Sequence, residues 1–146
     1  MGKIAHYTVA ALMLLLVPFF AHGEIELKYY QEDQANAPEY IEIKVLDVDK
    51  EWCLFCPERE IRIKARVLTV HRSASDLQKG EIIKIVYMRF KPPKKWAGPR
   101  PLPLLKEKRN YPAFLKRVIR KKKKKRKLFK PAARGYSFGP VLAGSH

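Results

Sequence analysis

The sequence predicts an all-β domain, about five short strands around a single core in a small barrel or sandwich. Two stretches, residues 40–48 and 60–71, alternate apolar and polar side chains, the two-residue period of a half-buried strand. No stretch carries the apolar repeat of a long amphipathic helix, and no internal repeat is present. Once a leader is set aside, the 123 residues from 24 to 146 suffice for one domain with one modest core.

The leader is expected at residues 1–23. Lys3 supplies a positive start, residues 9–20 are apolar apart from Pro18, and Ala21 and Gly23 put small residues before a cleavage point. This is the three-part pattern of a secretory signal peptide, with an apolar core shorter than the ~20 residues that span a bilayer. No later stretch is apolar enough to span one, so the processed chain is expected outside the cytoplasm, secreted or periplasmic.

Residues 24–39 read as an irregular polar lead-in. In the first strand Ile41, Ile43 and Val45 share a face, after which Leu46 and Val48 are the apolar positions. A β-bulge or strong bend at that parity change re-aims the strand. Residues 49–57 form a turn holding both cysteines. The second strand is the clearest: Ile61, Ile63, Ala65 and Val67 face one way, Arg62, Lys64 and Arg66 the other. Gly80 ends the next connection, at a place suited to positive φ. Residues 81–90, rich in Ile, Val and Tyr, make a third strand. Residues 91–103 carry five prolines, which remove backbone donors and fix φ, so this is an ordered extended loop. Residues 111–115 are a short fourth strand, and Tyr136, Ser137 and Phe138 a last one.

Four stretches carry a resemblance: ARVLTVHRSASDLQKGEIIKIVY at 65–87, WAGPRPLPLL at 96–105, YPAFL at 111–115 and PAARGYSF at 131–138. In this order the segment 65–138 resembles the OB-fold domain shared by tissue inhibitors of metalloproteinases and netrin modules, particularly its bacterial secreted relatives. The resemblance implies a five-stranded Greek-key barrel and a secreted interaction domain. The expected organisation is therefore a signal peptide (1–23), a lead-in (24–39), an OB-like barrel (40–138) with a basic insertion at 116–130, and a tail (139–146). Inhibition does not carry over. Inhibitors of that family chelate the protease zinc through an N-terminal cysteine, whereas this chain would begin near Glu24 and has only Cys53 and Cys56. Blocking a protease by another surface remains open.

The charge is divided. Residues 24–60 hold eleven acids and four bases, a net of −7; residues 61–146 hold three acids and twenty-six bases, a net of +23. No acid follows Glu107. Eleven of the fifteen residues at 116–130 are basic: Lys116, Arg117, Arg120, Lys121, Lys122, Lys123, Lys124, Lys125, Arg126, Lys127 and Lys130. Such asymmetry points to an anionic partner, or to a solvated loop with no specific partner. For an exported chain the candidate partners are anionic polysaccharide, cell-envelope polymer or anionic lipid. Nucleic acid is less favoured because of export; Arg62, Lys64 and Arg66 with Tyr87, Phe90 and Trp96 have the residue types of a set that stacks single strands, the alternative being that these aromatics fill the core or hold the proline loop. Val118, Ile119, Leu128 and Phe129 bracket the run, either as two strands of a hairpin tipped by lysines or as an amphipathic piece at a lipid interface.

The Trp52-Cys53-Leu54-Phe55-Cys56-Pro57 turn has three readings: a local disulfide formed after export, a redox pair, or a metal site. A redox pair needs a thiol pKa lowered at a helix start, and a strand pattern follows instead. A closed zinc site needs four ligands; beyond the two cysteines only His71 and His146 follow the leader. The context favours the disulfide, with Trp52 and Phe55 capping one end of the barrel. Ser73, His71 and Asp76 have the residue types of a triad without a nucleophile-elbow pattern. No Gly-rich phosphate loop occurs and no cofactor is called for. The reading is a non-enzymatic binding module, the rival a thiol–disulfide protein using Cys53 and Cys56.

Overall fold

Five strands close into a barrel in the computed structural model, which describes residues 26–119 and 127–143. They are β1 (Glu39–Lys50), β2 (Glu58–Ser73), β3 (Ile82–Phe90), β4 (Asn110–Arg117) and β5 (Leu128–Pro131). Going round, the order is β1-β2-β3-β5-β4, with β4 paired back to β1. Every pairing is antiparallel except β3 with β5. This is the OB-like Greek-key barrel expected from the sequence. The leader lies outside the described residues.

The alternation in the strands builds the core. Ile41, Ile43 and Val45 of β1 are fully buried against Ile63, Ala65 and Val67 of β2 and Ile83 and Ile85 of β3. Leu115 and Phe129, from β4 and β5, complete the filling. The parity change in β1 is a register shift between Val45 and Asp47, which leaves Leu46 as the extra residue. Two further shifts lie nearer its start, and such shifts add the twist that lets one strand serve both β2 and β4. Gly80 has φ 89°, the left-handed backbone expected of it.

Three expectations are corrected. Residues 24–39 are not irregular: α1 spans Leu27–Asn36. Its sequence, LKYYQEDQAN, has no apolar stripe, and only Tyr30 and Gln34 are buried. The helix is held by the tail instead. Gln34 Nε2 donates to the carbonyls of Tyr136 and Pro140, each at 3.0 Å, and Gln34 Oε1 accepts from Leu142 N–H at 2.8 Å. Residues 136–138 are not a strand either; a 3₁₀ turn occupies Arg134–Tyr136, and the fifth strand is the earlier Leu128–Pro131. A Cβ on Gly135 would collide with the Arg100 carbonyl, so chain contact shapes this turn more than residue preference. Third, Trp52 and Phe55 do not cap the barrel: they are 84% and 91% exposed. Among the described residues no helix is long and apolar enough to cross a membrane.

Candidate functional site

The basic segment leaves and re-enters the barrel at one place. β4 ends at Arg117, β5 begins at Leu128, and Val118 N–H donates to the Leu128 carbonyl at 2.8 Å. Phe129, fully buried, roots the returning strand in the core. The flanks therefore form the two arms of an antiparallel hairpin with the lysine run between them. Arg120, Lys121, Lys122, Lys123, Lys124, Lys125 and Arg126 lie outside the described residues; Lys116, Arg117, Lys127 and Lys130 lie within them.

Lys116 and Lys130 are directly opposite each other in the β4–β5 ladder, and both are exposed. Like charges opposite one another on one sheet face destabilise the pair. Among the described residues, neither lysine forms an ion pair with an acid. Lys127 differs. Its ammonium donates to the Glu81 carboxylate, in the connection between β2 and β3, and this hydrogen bond holds the Glu81 carboxyl below the usual carboxylate range against the opposing pull of desolvation. Glu81 was not singled out in the sequence. The parallel β3–β5 pairing brings it to Lys127, and such a long-range contact leaves no local pattern.

A groove of about 560 Å³ opens beside this hairpin, between β3 and β5. The two strands pair only through Lys84 with Leu128 and Ile85 with Phe129. Pro131, two residues on, has no N–H to continue a ladder. Val86, Met88 and Leu102 give the groove apolar lining, and Lys116, Lys130 and Arg134 its positive charge. Its acids are Asp33 and Glu60. Asp33 pairs with Arg134 at 3.1 Å, and Glu60 accepts from Arg62 Nε at 2.5 Å.

On the outer barrel face Arg62, Lys64 and Arg66 are exposed, as their alternation required. Across the β1–β2 ladder Arg62 is opposite Asp49 and Lys64 opposite Asp47, while the ion pair of Arg62 is with Glu60 on its own strand. The aromatics fill the core and hold the proline loop, the alternative to a stacking platform. Tyr87 is 5% exposed, and its hydroxyl donates to the Pro103 carbonyl at 2.7 Å. Burial pushes its pKa up to about 12. Phe90 packs on Trp96 with ring centres 5.0 Å apart, and the Trp96 indole N–H donates to Pro99, so these two hold the proline loop.

Cys53 and Cys56 are disulfide-bonded at the tip between β1 and β2, with Cα atoms 5.5 Å apart. The tip presents Trp52, Leu54 and Phe55 to solvent. His71 is at the far end of β2, stacked on Tyr40 with ring centres 4.4 Å apart; His146 lies outside the described residues. The triad types do not come together. Ser73 Oγ donates to Glu39 at 2.5 Å and accepts from Leu77 N–H at 2.9 Å. Ser75 Oγ donates to the other Glu39 oxygen at 2.6 Å. These serines satisfy a fully buried carboxylate, as burial demands. Comparisons of this chain with protein-family models, curated proteins and solved structures find no match.

Proposed function

We propose that this protein is a secreted, non-enzymatic binding module, a barrel of the netrin-like kind, whose basic hairpin at residues 116–130 grips an anionic partner. The favoured partner is an acidic polysaccharide or envelope polymer, with anionic lipid as the neighbouring possibility. One observation carries the reading: Lys116 and Lys130 face each other at the root of the hairpin, and among the described residues no acid pairs with either. Both ammoniums are exposed, so water and salt screen their repulsion in the free protein and a bound anion can replace that screening. The position agrees, because an OB barrel presents its loop between the fourth and fifth strands to oligosaccharide and oligonucleotide ligands. The lysine-rich composition adds attraction without geometric selectivity, since each ammonium acts as a point charge.

The test is elution from a heparin column along a salt gradient. The wild type is compared with a variant whose residues 120–126 are replaced by Gly and Ser at equal length, which keeps Lys127 and its bond to Glu81. The wild type is expected to need markedly more salt. Early elution of both proteins together would assign the run to a solvated loop.

A further inference from the structure

We infer that the groove between β3 and β5 is a subsite for one acidic unit of a linear polysaccharide, its carboxylate or sulfate bridging Lys116 and Lys130. This deepens the polyanion reading and rests on it. The charge of the groove is the first argument. Asp33 is engaged by Arg134 at 3.1 Å and Glu60 by Arg62 at 2.5 Å, so both acids of the lining already have arginine partners. The positive charge left over is that of Lys116 and Lys130, adjacent across the ladder. An anion placed between them turns a repulsive pair into two favourable contacts.

Shape supplies the second argument. The groove is concave, about 560 Å³, within the range of small-molecule sites. Val86 and Met88 come from β3 and Leu102 from the proline loop, giving an apolar wall beside the lysines. A sugar ring offers the matching surface: a C–H face for that wall and a charged substituent for the lysines.

Continuity is the third. Lys116 is followed directly in sequence by Arg117 and the basic segment, so one polymer can offer charges to both. The groove would then set the register of the chain, and the run would add salt-sensitive affinity.

The experiment uses the full processed chain and a heparin-derived tetrasaccharide, short enough to occupy the groove alone. Binding is followed by NMR on the Met88 methyl and by calorimetry, for wild type, Lys116→Gln/Lys130→Gln and the Gly/Ser variant of residues 120–126. The double variant replaces exposed side chains, and a thermal midpoint no lower than that of the wild type checks its fold. The tetrasaccharide is expected to shift Met88 in the wild type, to bind the Gly/Ser variant within about threefold of wild type, and to lose about tenfold or more in the double variant. The double variant is still expected to be retained on long heparin by its intact run. Equal tetrasaccharide affinity for the double variant and the wild type, or an unmoved Met88 methyl, overturns the subsite while leaving polyanion binding standing. Loss of both long heparin and tetrasaccharide binding in the wild type overturns the polyanion reading and the subsite with it. A Met88 shift produced by phosphatidylglycerol vesicles and not by the tetrasaccharide also overturns the subsite, in favour of a lipid headgroup.

Discussion

The ammonium of Lys127 is bonded to the carboxylate of Glu81, tying the last residue of the basic run to the connection between β2 and β3. One cation of the hairpin is thus paired inside the fold, while Lys116 and Lys130 face each other across the β4–β5 ladder. Glu81 titrates below the ordinary glutamate value of 4.5, chiefly through this hydrogen bond. A depressed carboxylate pKa stabilises the fold above the unfolded value and stops doing so as pH falls through the folded one. Glu81→Gln is therefore expected to lower stability at pH 7 by about 0.2–1 kcal/mol, the range for exposed pairs. The difference from wild type should vanish once the pH is well below 4.5. Thermal unfolding of both proteins across pH 3–7 measures it; a difference that persists at the acid end contradicts the assignment.

Tyr87 is expected to behave in the opposite sense. Its pKa is raised to about 12, first by desolvation. A raised pKa contributes stability that is fully present below the unfolded value of 10.0 and is lost as pH climbs through the folded one. Ultraviolet titration should show one tyrosine ionising late, and Tyr87→Phe should remove that late step. Losing the hydrogen bond to Pro103 should cost about 0.5–1.5 kcal/mol.

Glu39 is buried with two serine hydroxyls on its oxygens. Ser73→Ala leaves one carboxylate oxygen without that donor and Leu77 N–H without its acceptor. A loss of about 1–3 kcal/mol is expected by denaturant titration, with the larger loss in the Ser73→Ala/Ser75→Ala double variant. The cluster joins the start of β1 to the end of β2, and Glu39 pairs across the ladder with Leu115, the residue before Lys116.

The disulfide closes a ring only three residues apart in sequence. A ring so small removes little chain entropy, so Cys53→Ser/Cys56→Ser should cost at most about 2 kcal/mol. Heparin elution should be unaffected. An insulin-reduction activity that disappears in this variant would support the thiol–disulfide rival and contradict the binding-module reading.

The strands were legible because burial enforces alternation. Ile61, Ile63, Ala65 and Val67 face inward wherever β2 is half-buried, and the parity change at Leu46 announced its register shift. The helix at Leu27–Asn36 was not legible. It is held by Gln34 reaching carbonyls more than a hundred residues away, and a hydrogen bond across that separation leaves no periodicity. The strand at Leu128–Pro131 was legible only as one of two readings of the flanks of the lysine run, because four residues are too few to show a period and its parallel partner β3 is remote in sequence. At the site, the excess of lysine was plain from composition. That Asp33 and Glu60 are engaged by arginines, leaving Lys116 and Lys130 facing each other, depends on pairings only the folded chain displays. Trp52 and Phe55 show the limit of composition: large aromatics suggested a cap, yet the disulfide-bonded tip carries them out into solvent.

The most direct test of polyanion binding through the basic hairpin is the salt dependence of heparin affinity, measured by calorimetry on the wild type and on the Gly/Ser variant of residues 120–126. Contacts made by ammonium groups release counterions, so the wild-type Kd should weaken by on the order of tenfold or more between 50 and 200 mM salt. The variant should bind more weakly and show a visibly shallower slope. Equal slopes in the two proteins, or a wild-type affinity indifferent to salt, would contradict the account.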